Sequence, residues 1–517
     1  MKKLKKSYYK AFFTLIKAYK RYYFGAWLFK IPFYKLTSNA IKLQKWQEKR
    51  KQRREFLQES LKKFKDSKVL CKEFDKQREL WLNSKEFKEK YLDTKHPYSP
   101  PLNSDTLNDK NSPLNYSNIS AEMAWELNLP LPPNYKFIHI PHFGAAYGAM
   151  QVFYKHCGVI VHRRWEQSDA KNSYIQLFNS LKNANKNLCN MIYLDGFNLT
   201  VPNNAKFYSL IDATVPVVSV LRDPISRFKP LVNHLRGGSI RHFNLTFDYE
   251  NVLRVYYYQK GNLRESSPIV ENLETSDCGW HSGILFSLSS RIKALKNHSE
   301  LLFLDMQEIM PAKAFETMTK LALKLGFTPP KTQDRAKFEG KINGGDYLGM
   351  QKLLFLHSDD IDKCFELGDS RQDEASLKKA DSIKAWLGNL QNAPMGWINA
   401  NEIFFDEDVG LKDFGVYFAN KDEITRLKDN SRLYLTSKKY LKGYVKALKE
   451  AIVKENAKRI DEKEILNYLA KHKETRAFYK KNLDFELVDI KAKRPDIVAS
   501  WHYYNEFEKM CQGLDKD

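Results

Sequence analysis

The sequence lacks any run of about 20 apolar residues, the length a membrane-spanning helix needs. In its aromatic-rich N-terminal stretch the uninterrupted apolar or aromatic runs are residues 11–16 and 22–29. No spanning segment is expected there. No secretory signal is expected either, because Lys17, Lys20 and Arg21 interrupt the apolar core such a signal requires and no small-residue cleavage site follows. Cysteine is sparse and scattered. Cys71, Cys157, Cys189, Cys278, Cys364 and Cys511 form no CxxC pair, which excludes a dense disulfide framework and a zinc-ligand spacing. Reduced structural thiols in the cytosol are the simpler expectation, and no metal site is expected. A glycine-rich Walker loop, a zincin motif and a dinucleotide fingerprint are all missing. Kinase, metalloprotease and dehydrogenase chemistry are therefore poor fits. No acidic DxD-like triplet convincingly follows a strand, so metal-dependent sugar transfer has no support.

What is present is positive charge. The 517-residue chain carries a formal net charge of +23, which favours anionic partners. Residues 1–60 hold 17 Lys and Arg against Glu48, Glu55 and Glu59, so 17 − 3 gives +14 there and 23 − 14 leaves +9 elsewhere. Aromatic residues alternate with the lysines in this arm. That pattern fits an amphipathic segment lying on an anionic membrane surface, or a basic helix packed on its own protein with its charges solvated. Nucleic acid is not expected as a partner, since no recognition module accompanies the charge.

The chain divides by composition. Residues 1–96 read as a basic amphipathic helical arm, and residues 97–134 as a Pro/Asn-rich linker with a short helix capped by Ser117 or Ser120. From 135 to 345 strand and helix signals alternate. Strands are expected at 136–140, 158–162, 191–194, 215–221 and 301–305, with helices at 174–181 and after residue 310. This predicts an α/β fold: a mostly parallel sheet flanked by helices, whose ligands bind beyond the carboxyl ends of the strands. Residues 346–517 read as a helix-rich C-terminal region. Helical character is expected at 359–370 and 421–472, with strand-like fragments at 486–490 and 497–501.

Two segments carry the chemistry. FIHIPHFGAAYGAM at 137–150 is a strand running through a turn at Gly144 into a helix, whose N-terminal amides would attract an anion. VVSVLRDPISRF at 217–228 is a strand ending in Arg222, with Asp223 and Pro224 opening a helix and Arg227 one turn on. Two guanidiniums leaving one strand end suit phosphate or sulfate. They could equally pair with Asp223 or surface carboxylates to fix the turn.

In this order the two segments resemble the sulfotransferase superfamily, whose phosphosulfate loop commonly reads HIPKTGGTS and whose 3′-phosphate motif reads RDPxxRxxS. His139, Ile140, Pro141 and Gly144 match the first motif, and Arg222, Asp223, Pro224 and Arg227 match the second. LLFLDMQEIMPAKAFETMTKLALKLGF is a third echo, with Asp305, Glu308, Leu325 and Gly326 at corresponding places. The family's lysine, second glycine, threonine and final serine are replaced by His142, Ala145, Ala146 and Pro230. The resemblance spans about 190 residues and implies a sulfotransferase-like P-loop core. It also implies donor contacts from His142, Gly144, Ala145, Ala146, Arg222 and Arg227. The basic arm, the tail and RDPISRFK are further similar to capsule and surface-polysaccharide biosynthesis proteins of Campylobacter and Helicobacter relatives.

The resulting expectation is a cytoplasmic transferase, peripheral on the inner face of the membrane, with no tightly bound cofactor. It would move a sulfuryl group from 3′-phosphoadenylyl sulfate to a hydroxyl of a glycan or glycolipid acceptor. His142 would serve the transferred group, and His162, Glu166 and Asp195 are candidate bases, with Arg163 and Arg164 available for an anionic acceptor. Two alternatives stay open: a metal-independent glycosyltransferase with a nucleotide-sugar donor, or a transferase of another phosphorylated group, and a non-catalytic membrane-associated scaffold with a degenerate core.

Overall fold

The computed structural model describes residues 67–164, 169–195, 203–233, 240–253, 267–274, 285–340, 351–365, 381–390, 393–411 and 414–512, with a short hairpin and isolated positions between them. Residues 1–66 of the basic arm, apart from two isolated positions, and with them its expected membrane contact lie outside the described residues; the rest of the arm includes the helix Lys68–Leu82.

The main sheet is built from β1 (Phe137–His139), β2 (Ile160–Arg164), β3 (Asn190–Leu194), β4 (Val215–Leu221) and, after β5 (His242–Asn244) of a second sheet, β6 (His298–Asp305). Its order is β2–β3–β1–β4–β6 and every pairing is parallel. All five expected strands are present.

Period-two alternation assigns the inner strands to two cores. Phe137, Met191, Tyr193, Val218 and Val220 face a layer that includes Met150 and Phe153 of α2 (Tyr147–His156) and Met318 and Leu321 from the helix Ala314–Leu325. Ile138, Ile192, Leu194, Val217 and Leu221 face the other layer. There they meet α3 (Ala170–Lys182), α4 (Asn204–Ser209), α5 (Pro224–Val232) and α6 (Leu288–Ala294). Helices on both faces leave no side of the sheet wet, which is why its strands read as near-continuous apolar runs.

The expected division of the chain is corrected at two points. Residues 97–134 are not a linker: Leu102, Leu107, Leu114 and Tyr116 are buried in the main core. Asn115 and Asn118 satisfy the backbone of their turns, as in the bond from the Asn115 amide to Asn118 Oδ1 at 3.0 Å. Turn-forming composition therefore does not mean exposure. The helix there, α1 (Ala121–Glu126), begins after Ser120, whose hydroxyl accepts the Met123 amide.

Residues 346–517 are helix-rich, as expected, and hold four strands of a second sheet besides. β7 (Lys352–Leu356), β8 (Ile383–Asn389), β9 (Ile398–Asn399) and β10 (Phe414–Phe418) join β5 in a second sheet of order β9–β10–β8–β7–β5. The pairings are antiparallel except β5 with β7. Its own core packs against α7 (Ser431–Asn456). The boundary at 345 is thus crossed in both directions, since β5 belongs to the second sheet and the last helices return to the first core.

Local expectations shift as well. Of the stretch 359–370, the described part forms the 3-10 turn Ser358–Asp360, capped by the His357 ring, which accepts the Asp359 amide at 3.2 Å, and turns through residue 365; residues 366–370 lie outside the described residues. The strand-like fragments at 486–490 and 497–501 are helical. After α8 (Glu462–Lys471) and α9 (Lys473–Glu486) the chain continues as α10 (Val488–Lys493), α11 (Pro495–Ser500) and α12 (His502–Cys511). Pro495 at the first position of α11 supplies a preset helical φ. The helical reading of 421–472 holds, from Lys421–Asp429 through α7 and α8.

Candidate anion-binding site at the switch of the parallel sheet

β1 and β4 are neighbours whose following connections leave in opposite directions, one toward β2 and the other toward β6. In parallel sheets the crevice at such a reversal is where ligands bind. The turn after β1 and Arg222 after β4 meet there.

Gly144 has φ +76, and a Cβ on it would lie 2.9 Å from the carbonyl oxygen of Arg227. Only glycine fits both the conformation and the approach. Ala146 is also left-handed, at φ +52, on the far side of Ala145, and it opens α2. Alternation of this kind turns successive amides toward one point. Among the described residues, the amides of Phe143, Gly144 and Ala146 meet no protein acceptor. Arg222 Nη1 donates to the Gly144 carbonyl at 3.0 Å, and its side chain keeps 23% of its surface exposed, with Nη2 4.0 Å from Glu462. Burial lowers the Arg222 pKa against the pull of Glu462 and Asp223.

Arg227 stands differently. It is fully buried. Its Nε donates to Phe143 O at 2.9 Å and its Nη2 to Leu285 O. Burial brings its pKa down to about 9 against the attraction of Glu486. The expectation of two ligand-binding arginines is corrected: Arg227 props the turn from beneath, and Arg222 alone reaches the solvent side. The reason is position. Arg227 sits on the inner face of α5, where the core closes over it.

His142 is corrected in the same way. It is buried, with Nε2 3.4 Å from Glu486 but neither ring nitrogen in hydrogen-bond geometry. Burial and the Arg227 charge bring its pKa down to about 4, outweighing Glu486. Glu486 itself is driven upward by burial, yet the Arg227 charge and the Leu288 amide hold it below the ordinary range. The pair is a neutral imidazole beside an ionised carboxylate. His142 cannot replace the cationic lysine at neutral pH.

Glu486 and Arg291 carry no motif and were invisible in the sequence. Glu486 accepts the amides of Leu288 and Ser289 at 2.8 and 3.2 Å. Arg291 donates to Leu194 O and Pro141 O at 3.1 and 2.8 Å, tying β3 to the turn.

Of the candidate bases, Asp195 follows β3 at the carboxyl edge. Its Oδ2 takes a hydrogen bond from Arg163 Nε, and Arg163 Nη2 bonds the Tyr147 hydroxyl at the start of α2. Asp195 Oδ1 is buried without a hydrogen-bond partner, and burial raises the Asp195 pKa despite Tyr147 and Arg163. His162 does not join this group. Its ring nitrogens bond Ser180 Oγ and the side chain of Asn190, at the amino end of β3, so it points away from the ligand edge. Strand alternation turns it to the face opposite Arg163. Glu166 lies outside the described residues, as does the side chain of Arg164. Asp305 and Glu308 form the capping box of a 3-10 turn, Gly326 closes the helix Ala314–Leu325 at φ +70, and Pro230 lies inside α5.

The helices α8 to α12 supply one wall. Glu462 accepts from Ser226 and Lys229, and Trp501 Nε1 donates to Asp305 at 3.1 Å. A family model described as a protein of unknown function (DUF2972) matches residues 303–514. The matched segment starts within β6 and takes in β7 to β10 of the second sheet and this wall, while the turn after β1 and the strand β5 lie before it. No curated protein and no solved structure matches the chain. No helix of the described residues is long and apolar enough to cross a membrane, and no group of three or more His, Cys, Asp or Glu among them could hold a metal ion.

Proposed function

We propose that the chain is a transferase that binds the anionic end of a nucleotide donor at the turn after β1. The observation that carries this reading is the trio of amides at Phe143, Gly144 and Ala146, unpaired and set beside the partly exposed Arg222 at the sheet's switch point. Oriented amides and a guanidinium together make a strong phosphate or sulfate cradle. In the finer form of the proposal the core is sulfotransferase-like, the donor is 3′-phosphoadenylyl sulfate and the acceptor is a glycan hydroxyl in surface-polysaccharide assembly. The basic arm would hold the enzyme to an anionic membrane. Asp195 is the base of choice: it lies at the ligand edge, and burial raises its pKa toward the range a general base needs.

A second reading, the scaffold, is favoured by one observation. Arg227 is spent on backbone carbonyls, and the Glu486 carboxylate already occupies the amides of Leu288 and Ser289. Calorimetric titration with 3′-phosphoadenosine 5′-phosphate, UDP, GDP and CMP separates the readings, with Arg222→Ala as control. Micromolar binding of the bisphosphate, lost in the variant, supports sulfuryl transfer. Preference for UDP, GDP or CMP moves the protein to sugar transfer, and no binding leaves the scaffold.

A further inference from the structure

A cavity of about 260 Å³ lies between the carboxyl end of α2 and the second sheet. α2 is ten residues long, so the cavity is roughly 15 Å from the anion turn along the helix. Tyr417 and Trp397 form aromatic parts of its lining. The Tyr417 ring lies back over Gly415, where a Cβ would come within 2.5 Å of it. The glycine is what lets the ring lie along its own strand. Next to it on β8, Trp386 lies over Gly388 in the same manner, and the two rings meet edge-on at 5.4 Å.

The rim is basic. Lys155 and Lys331 are exposed and have no carboxylate partner among the described residues, while Lys337 shares Asp334 at 2.8 Å. The net charge at this mouth is therefore positive. Such a cavity fits a small ligand with an apolar face and an anionic substituent.

We propose that this cavity binds an acidic saccharide, one sugar ring set against the partly exposed Trp397, behind which Tyr417 is buried, with its sulfate, phosphate or carboxylate at Lys155 and Lys331. A sugar ring offers C–H groups on its face and polar groups at its edge, the division the cavity shows. Leu390, Ala393, Pro394 and Met395 give the rest of the lining its apolar part, and His156 and Asp334 its polar part. The volume lies just below the range of drug-sized sites, about 300–1,000 Å³, and suits one or two rings. The inference does not depend on which donor the anion turn takes.

The test is calorimetry and saturation-transfer NMR on the full chain with a sulfated heparin disaccharide, its desulfated analogue, inorganic sulfate and AMP. The sulfated disaccharide should bind. Its dissociation constant should rise at least tenfold in Lys155→Glu/Lys331→Glu, two exposed positions where folding is not at stake. Trp397→Ala should abolish saturation transfer to the sugar ring and Trp397→Phe should keep it, while Arg222→Ala, which weakens binding at the anion turn, should leave the disaccharide's dissociation constant at its wild-type value. Any of four results overturns the proposal: no binding, equal binding in the double lysine variant, equal binding of the desulfated analogue, or loss in Arg222→Ala. Inorganic sulfate competing as well as the disaccharide would mean a bare anion site, and tighter Trp397-dependent binding of AMP would mean a nucleotide site. Either also overturns it.

Discussion

Asp223 and Tyr503, 280 positions apart, are joined by one hydrogen bond: Asp223 Oδ2 accepts the Tyr503 amide at 2.9 Å. The same oxygen accepts the Tyr504 amide at 3.1 Å, while Oδ1 accepts Ile225 at 2.9 Å and Ser226 at 3.4 Å. One carboxylate thus caps both α5 and α12 and locks the C-terminal helices to the strand that delivers Arg222. Asp223→Ala should cost about 2 kcal/mol, roughly one for each helix end. Asp223→Asn should recover part of that, since the amide keeps a single acceptor. Urea unfolding measures both, and a loss confined to a few tenths of a kcal/mol would show that the second cap contributes nothing.

Gly144→Ala should damage both stability and binding. A left-handed conformation costs an L-residue about 1–2 kcal/mol, and the new Cβ would press on the Arg227 carbonyl at 2.9 Å. Relief requires the turn to shift, which moves the three free amides. The expected outcome is a lower Tm together with at least a tenfold weaker titration by whichever nucleotide the wild type binds.

Arg227 and Arg222 should separate by phenotype. Removing Arg227 takes the donors from the buried carbonyls of Phe143 and Leu285, about 1–3 kcal/mol for each group left unsatisfied, and withdraws a cation whose charge acts on buried Glu486. Arg222→Ala, at a partly exposed position, should leave the unfolding midpoint nearly unchanged while weakening anion binding. Glu486→Gln in the Arg227→Ala background should restore part of the stability, because coupled neighbours are not additive. Denaturation of the two single variants and the double variant reads this directly.

Acid should unfold the protein partly through His142. Its folded pKa is about 4, against about 6.5 in an unfolded chain. Between those values the unfolded chain holds the extra proton, so stability falls as pH drops from about 6.5 to about 4 and is unaffected by this group above that window. Glu486, whose folded pKa is lowered, acts in the same direction as pH falls through its own range. A pH series of urea midpoints should show this slope, and His142→Asn should flatten it.

The parallel sheet was legible because its strands are buried on both faces and so stand out as short apolar runs between helical patterns. The match of MIYL with a strand and of 421–472 with helices rests on the same periodicity. The second sheet was not legible. Its strands, such as KLLFL in β7 and FGVYF in β10, are scattered among segments without alternation. One partner, β5, is three residues long and over 100 positions away. Fragments 486–490 and 497–501 misled because short apolar runs do not distinguish strand from helix.

At the site the sequence by itself determined that a glycine turn and an arginine-bearing strand end would come together, since both follow strands whose carboxyl ends share one edge. It also determined where a cap would fall, because Asp223 precedes Pro224 and a helix. Only the tertiary structure decided which groups remain available. Burial in α5 withdrew Arg227 and neutralised His142, hydrogen bonds to Ser180 and Asn190 turned His162 inward, and Glu486 arrived from the far end of the chain. The reason is that motif spacing fixes backbone direction locally, whereas a side chain's charge and reach depend on the dielectric and partners that distant segments bring.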